Sequence, residues 1–198
     1  MSASFSFTGI QVKGASIYSV VAAINTFSVL VNDLMQAMNV QTRDASGALM
    51  IDTNAWYDLD HYMPVYKKID TLLGGRGLEK VGSFIPKNAE FPPNIQDIHG
   101  ALASIDVAFH MNHRKDGKPM FNPLTGEMTE GIGHYRYQPV AGKNEALLVC
   151  DNPCPCRFDQ GLIKGMAQRF QPQATLTHVP DTGCRTKGDA SCTYVVTW

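Results

Sequence analysis

Every cysteine of this chain lies near its C-terminal end. The stretch from Cys150 to Trp198 reads CDNPCPCRFDQGLIKGMAQRFQPQATLTHVPDTGCRTKGDASCTYVVTW and holds Cys150, Cys154, Cys156, Cys184 and Cys192, whereas the residues before it hold none. A cysteine cluster at both ends of a helix-strand-strand unit points to a metal site or a redox site. The N-terminus, MSASFSFTGIQVKG, lacks the charged-then-apolar layout of a signal peptide, so a cytoplasmic protein is expected. In a reducing compartment five cysteines are thiols or metal ligands rather than disulfides, and the odd count agrees.

The rest of the chain must build a core around that unit. Its 198 residues suit one domain, and a hydrophobic fraction of 44% against 18% charged is enough to form a core. The formal net charge is -1 and no long basic run occurs, so neither nucleic acid nor an anionic membrane is expected as a partner. The most apolar stretch, Ile17 to Met38, carries Asn25, Asn32, Asp33 and Gln36, which argues against a membrane span.

Periodicity places the elements. Phe5 to Val12 alternates as a short strand. Ile17 to Met38 is read as one helix of about six turns, either a core helix or a dimer interface. Trp56 to Leu73 is read as an aromatic-rich helix bent near Pro64 and ended by Gly74-Gly75, and Gly77 to Ile85 as a short helix stopped by Pro86. Phe91-Pro92-Pro93 reads as a linker, and Ile95 to His113 as a further helix with His110 beside its apolar face. Arg114 to Gly133 is rich in turn residues and reads as a long surface loop or lid.

His134 to Val140 and Glu145 to Cys150 form a hairpin, and Ala174 to Val179 and Ser191 to Trp198 a second one. Between them Phe158, Leu162, Met166 and Phe170 mark a helix in which Gly161 and Gly165, one turn apart, imply a closely packed neighbour. The expected fold is α+β, N-terminal helices packed on an antiparallel sheet of two hairpins with a helix between them. The chain is expected to be a single domain, with 1–90 an N-terminal helical part, able to dimerise, and 91–198 a core with the metal site, which the resemblance given below makes a ligand-binding sensor.

Within the cysteine unit, Cys156 opens a helix, where a thiolate is favoured. Cys184 and Cys192 bracket a tight loop, and Asp181 and His178 stand close before it. Thiolates on rigid element ends beside a carboxylate or imidazole suit tetrahedral zinc. Cys154, two residues before Cys156, could share an ion with it or lie apart. Cys150, at a strand end in an apolar run, reads as a small buried hydrophobe.

The sequence Cys156, Gly161, Gly165, Asp181, Cys184 and Cys192, with Arg185, Gly188 and Asp189 inside the last loop, resembles the 4-vinyl reductase domain family. The match is strong over about the last 65 residues and extends weakly to most of the chain. The resemblance implies the ligand-binding fold of nitric-oxide signalling and Golgi-transport proteins. It implies structural zinc on Cys156, Asp181, Cys184 and Cys192, with Cys154 an extra candidate. It also implies a sensor, as in the aromatic-responsive transcription activators, whose pocket between helices and the first hairpin takes an apolar ligand. Where that family usually has glutamate, this chain has Asp181 after Pro180.

The leading expectation is thus a non-catalytic sensor that binds a small apolar or aromatic ligand. His110, His134, Tyr135, Tyr137 and Trp56 are the candidate ligand-binding residues, with Tyr62 and Tyr66 able to line the same pocket. The partners expected are a second copy in a homodimer and a downstream signalling protein, since no output domain follows Trp198. The alternative is a haem or gas-binding protein using His99, His110, His113 or His134, or Cys154-Pro155, as axial ligand. A second alternative is an iron-sulfur or thiol redox protein. No dinucleotide-binding glycine pattern stands in its strand-helix context; Gly75-Arg76-Gly77 reads as a turn.

Overall fold

In a computed structural model that describes residues 5–88 and 93–198, the chain forms an α+β fold of five helices and two antiparallel four-stranded sheets. The linker expected at Phe91–Pro93 falls outside the described residues apart from Pro93. The strands are β1 (Ile10–Lys13), β2 (Trp56–Asp58), β3 (His113–Lys115), β4 (Lys118–Pro119), β5 (Tyr135–Pro139), β6 (Glu145–Cys150), β7 (Thr175–His178) and β8 (Cys192–Thr197). The helices are α1 (Gly14–Ala23), α2 (Ser28–Ala37), α3 (Leu59–Asn88), α4 (Ile98–Met111) and α5 (Cys156–Phe170).

The C-terminal sheet has the order β5-β6-β8-β7 and contains both expected hairpins. Alternation in β6 and β8 buries Ala146, Leu148, Cys150, Cys192, Tyr194 and Val196 on one face. α5 supplies Phe158, Leu162, Ile163 and Met166 to the same core. Its outer side meets α3 with backbone against backbone. A Cβ on Gly161 would stand 1.9 Å from the Glu79 carbonyl oxygen, and one on Gly82 would stand 2.1 Å from the Phe158 carbonyl oxygen. The close neighbour implied by the α5 glycines is therefore α3.

Four expectations are corrected. The long helix from Ile17 to Met38 is two, because residues 24–27 leave helical geometry between α1 and α2. Asn25 and Thr26, side chains that compete for backbone hydrogen bonds, sit at the break. Trp56 and Tyr57 belong not to a helix but to β2, paired with Lys13 and Val12 of β1. The two helices expected on either side of Gly74-Gly75 are one element, kinked where Gly74 takes φ 66°; Pro64 and Pro86 both lie inside it. The expected lid at Arg114 to Gly133 begins instead with a hairpin turned by Asp116-Gly117, both at positive φ. That hairpin completes the N-terminal sheet β2-β1-β3-β4.

Candidate functional site

The cavity lies where these elements meet. Its walls are Leu59, Tyr62, Met63 and Tyr66 of α3, Ile105, Ala108 and Phe109 of α4, Phe158, Leu162 and Met166 of α5, Tyr135 of β5, and Cys154. Its volume is about 150 Å³. That is room for a body the size of one aromatic ring. The α3 and α4 walls barely touch one another; α3 packs on α1 and α5, whereas α4 packs on α5 and β5.

His113 is the imidazole on this cavity. It sits at the start of β3, where the register opposite Val12 turns it inward. Its Nδ1 donates to the Phe109 carbonyl at 2.7 Å, which leaves Nε2 with no hydrogen-bond partner among the described residues. Burial pushes its pKa down to about 4, so the ring is neutral at pH 7. A neutral imidazole with one nitrogen tied to a backbone carbonyl and the other bare is the arrangement of a metal-ligating histidine.

The polar groups of the cavity form a string. The Tyr62 and Tyr66 hydroxyls are 3.0 Å apart. Cys154 lies beside the hydroxyls of Tyr66 and Tyr135, and burial pushes its thiol up to about 12, so it stays protonated. Tyr135 donates to Asp159 Oδ1 at 2.6 Å. Asp159 is fully buried, and its other oxygen is bound by the Arg185 guanidinium, which also reaches Asn152. Burial pushes the Asp159 carboxyl up to about 6, against the pull of Arg185. The backbone N–H of Arg185 donates to Cys192 Sγ at 3.3 Å, so the cavity wall and the cysteine loop share one network.

Three thiols converge at the end of that network. Cys156 Sγ is 3.1 Å from Cys192 Sγ and 3.9 Å from Cys184 Sγ, and Cys184 and Cys192 are 3.9 Å apart. Sulfurs around a tetrahedral ion with bonds of about 2.3 Å stand about 3.8 Å apart, so two of the three separations already match metal coordination. A hydrogen bond from Cys156, helped by the Arg185 N–H and guanidinium, holds Cys192 toward the thiolate, and the same bond holds Cys156 protonated. Of the other expected ligands, Cys154 faces the cavity, and Asp181 is exposed in a 3-10 turn; neither is part of this cluster. Cys150 is a buried free thiol in β6.

The expected ligand-binding residues divide. Tyr135, Tyr62 and Tyr66 line the cavity. His110 and His134 do not; they stack with ring centroids 4.8 Å apart on the other side of α4. There His134 Nδ1 is 2.9 Å from Asp106 Oδ2 and its Nε2 3.2 Å from Glu130. Burial opposes the charge on His134, but Asp106 and Glu130 outweigh it and raise its pKa. The ligand atoms of Asp106, His110 and His134 lie within 4.8 Å of one another. Tyr137 bonds to His99, and Trp56 lies under the Arg114 guanidinium, 4.8 Å from ring centroid to carbon. Sequence reasoning gave Asp159 no role and read Arg185 only as part of a motif. An acid one turn into a helix opened by cysteine, and a cation beside the next cysteine, were the available signals.

No protein-family profile matches the sequence, and no curated protein matches it. Solved structures do match. An H-NOX protein from S. oneidensis in the Fe(II)NO ligation state is 15% identical, covers 93% of this chain and 97% of its own, and gives a TM-score of 0.63. The F78L variant of Tt H-NOX is 15% identical, covers 93% of this chain and 94% of its own, and gives 0.61. An Fe(II) unliganded H-NOX variant from K. algicida is 10% identical, covers 93% and 95%, and gives 0.56. At these identities the likeness is one of fold. It corrects the resemblance drawn from the cysteine motif: the structures matched are H-NOX proteins and not 4-vinyl reductase domains, and they give zinc no support. Within the described residues, no helix is long and apolar enough to cross a membrane.

Proposed function

We propose that this chain is a non-catalytic, small-molecule-sensing domain that holds haem at the α3–α4 cavity, with His113 as the protein ligand to iron. The observation that carries this reading is the bare Nε2 of a buried, neutral His113 at an apolar cavity, in a fold shared with H-NOX proteins. One of those neighbours was determined with Fe(II)NO and another as Fe(II)CO.

The donor set fits the group. His113 offers a lone pair whose direction is fixed by the Phe109 carbonyl. Leu59, Met63, Ile105, Phe109, Phe158 and Leu162 exclude water from the chamber, and the Tyr62–Tyr66 pair can present a hydroxyl to a bound molecule. Haem, when bound, supplies an iron that coordinates a diatomic gas reversibly. Entry of a macrocycle requires α3 and α4 to part, and little direct packing opposes that movement. Tyr135, Asp159 and Arg185 then tie any displacement of the wall to the cysteine loop.

Cys156, Cys184 and Cys192 we assign as ligands of a thiophilic metal ion that fixes that loop. A second reading is favoured by the volume alone: about 150 Å³ suits direct binding of a single-ring apolar molecule.

The test is a haem titration of the purified protein followed by absorbance. One haem per chain in wild type, lost in His113→Ala at unchanged fold, is expected. No haem binding, with toluene bound instead, would leave the second reading standing and the first refuted.

A further inference from the structure

A second concavity opens along another face of α5. The glycine contacts that draw α3 and α5 together leave a groove of about 810 Å³ running along their junction. Gly161 and Gly165 line it where the two helix backbones meet. From the α3 bank come Arg76, Lys80 and Lys87, and from the α5 bank Lys164 and Arg169. Among the described residues of the lining, Glu79 is the one acid.

This imbalance is local. The whole chain has 17 Lys and Arg against 18 Asp and Glu. A merely solvated helix face interleaves the two signs, and like charges set one turn apart destabilise each other. Here Arg76, Lys80, Lys87 and Lys164 form no ion pair with any described acid. Arg76, Lys80 and Lys87 share one side of α3 and line the groove there, Lys87 with its Nζ 5.1 Å from the Phe84 ring centroid, while Lys164 lines it from α5. Ser83 and Gln168 add neutral hydrogen-bonding groups between the banks.

We infer that this groove is a binding site for a phosphorylated small molecule bearing two or more negative charges. The volume falls in the range of about 300–1,000 Å³ typical of small-ligand sites. Guanidinium and ammonium groups lining one groove suit phosphate oxygens: Arg76 can bind bidentately, and the lysines act as point charges. A docking face for an acidic protein surface is flat, whereas these cations line a concavity between two helices. The groove and the cavity lie on different faces of α5 and meet at Pro86.

The experiment is calorimetric titration of the full chain with pyrophosphate, ATP, inorganic phosphate and an oligoglutamate peptide, at low and high salt. Variants Lys80→Glu/Lys164→Glu and, as a control on an exposed cation outside the groove, Lys143→Glu are compared, with thermal midpoints checking the fold. Saturable binding of pyrophosphate or ATP, weakened at least tenfold in the double variant, unchanged in the control and weaker at high salt, is expected. Three results would overturn the inference: no saturable binding of either, binding indifferent to the double variant, or binding of the acidic peptide alone.

Discussion

Replacing Arg185 by Met tests the network that joins the cavity to the cysteine loop. Asp159 has no exposed surface and the Arg185 side chain is 11% exposed, so this is a buried pair in which solvent screening is small. Removing one partner of such a pair costs about 3–5 kcal/mol, because the remaining charge is left without compensation. Protonation limits the cost. The Asp159 carboxyl already stands at about 6 because burial raises it. Without the pull of Arg185 it rises further. Between the unfolded and folded pKa values the native state of the variant holds a proton that the unfolded state has lost. Its stability therefore falls as pH rises, by about 1.4 kcal/mol per unit for one proton. The penalty of Arg185→Met should be largest near pH 8 and shrink toward pH 5. The double variant Asp159→Leu/Arg185→Met should recover most of it, and the residue should be about 1–2 kcal/mol for the hydrogen bonds lost by Tyr135 and Asn152. Urea unfolding followed by circular dichroism at both pH values measures all three proteins. A loss below about 1 kcal/mol at pH 8, or a loss independent of pH, would refute the buried-pair argument.

Gly161→Ala should destabilise the protein by about 1–3 kcal/mol despite the higher helix propensity of alanine, since α3 and α5 must move apart; thermal unfolding checks it. Cobalt(II) titration should give thiolate charge-transfer absorption in wild type and in Cys154→Ser, but a much weaker band in Cys192→Ser. Equal bands in all three would remove the cysteine cluster as a metal centre.

Much of the C-terminal half was legible. The β6 and β8 alternations and the four-residue spacing of Phe158, Leu162 and Met166 are periodic, and the two α5 glycines announced a close neighbour. The N-terminal half was less so, because its features depend on partners distant in sequence. Trp56 and Tyr57 follow helical spacing with the residues after them, yet β1 claims them for a strand. The β3–β4 hairpin is short and polar, and only pairing with β1 makes it part of a sheet. The site shows the same division. Tyr62, Tyr66 and Tyr135 were legible as pocket residues, and Cys156, Cys184 and Cys192 as a cluster. His110 and His113 are three residues apart, and the expectation named His110 for the pocket, whereas His113 is the one that lines the cavity. The strand that begins at His113 changes the phase, which turns His113 inward and leaves His110 stacked on His134.

The role of His113 is tested most directly by replacing it with glycine and restoring the lost ring from solution. Absorbance of the haem-titrated protein is recorded for wild type and His113→Gly, without and with imidazole, before and after nitric oxide. Wild type should show a stoichiometric haem band that shifts with the gas, His113→Gly should show neither, and imidazole should restore both. Haem binding by His113→Gly equal to wild type without imidazole, or none by wild type, would contradict the account.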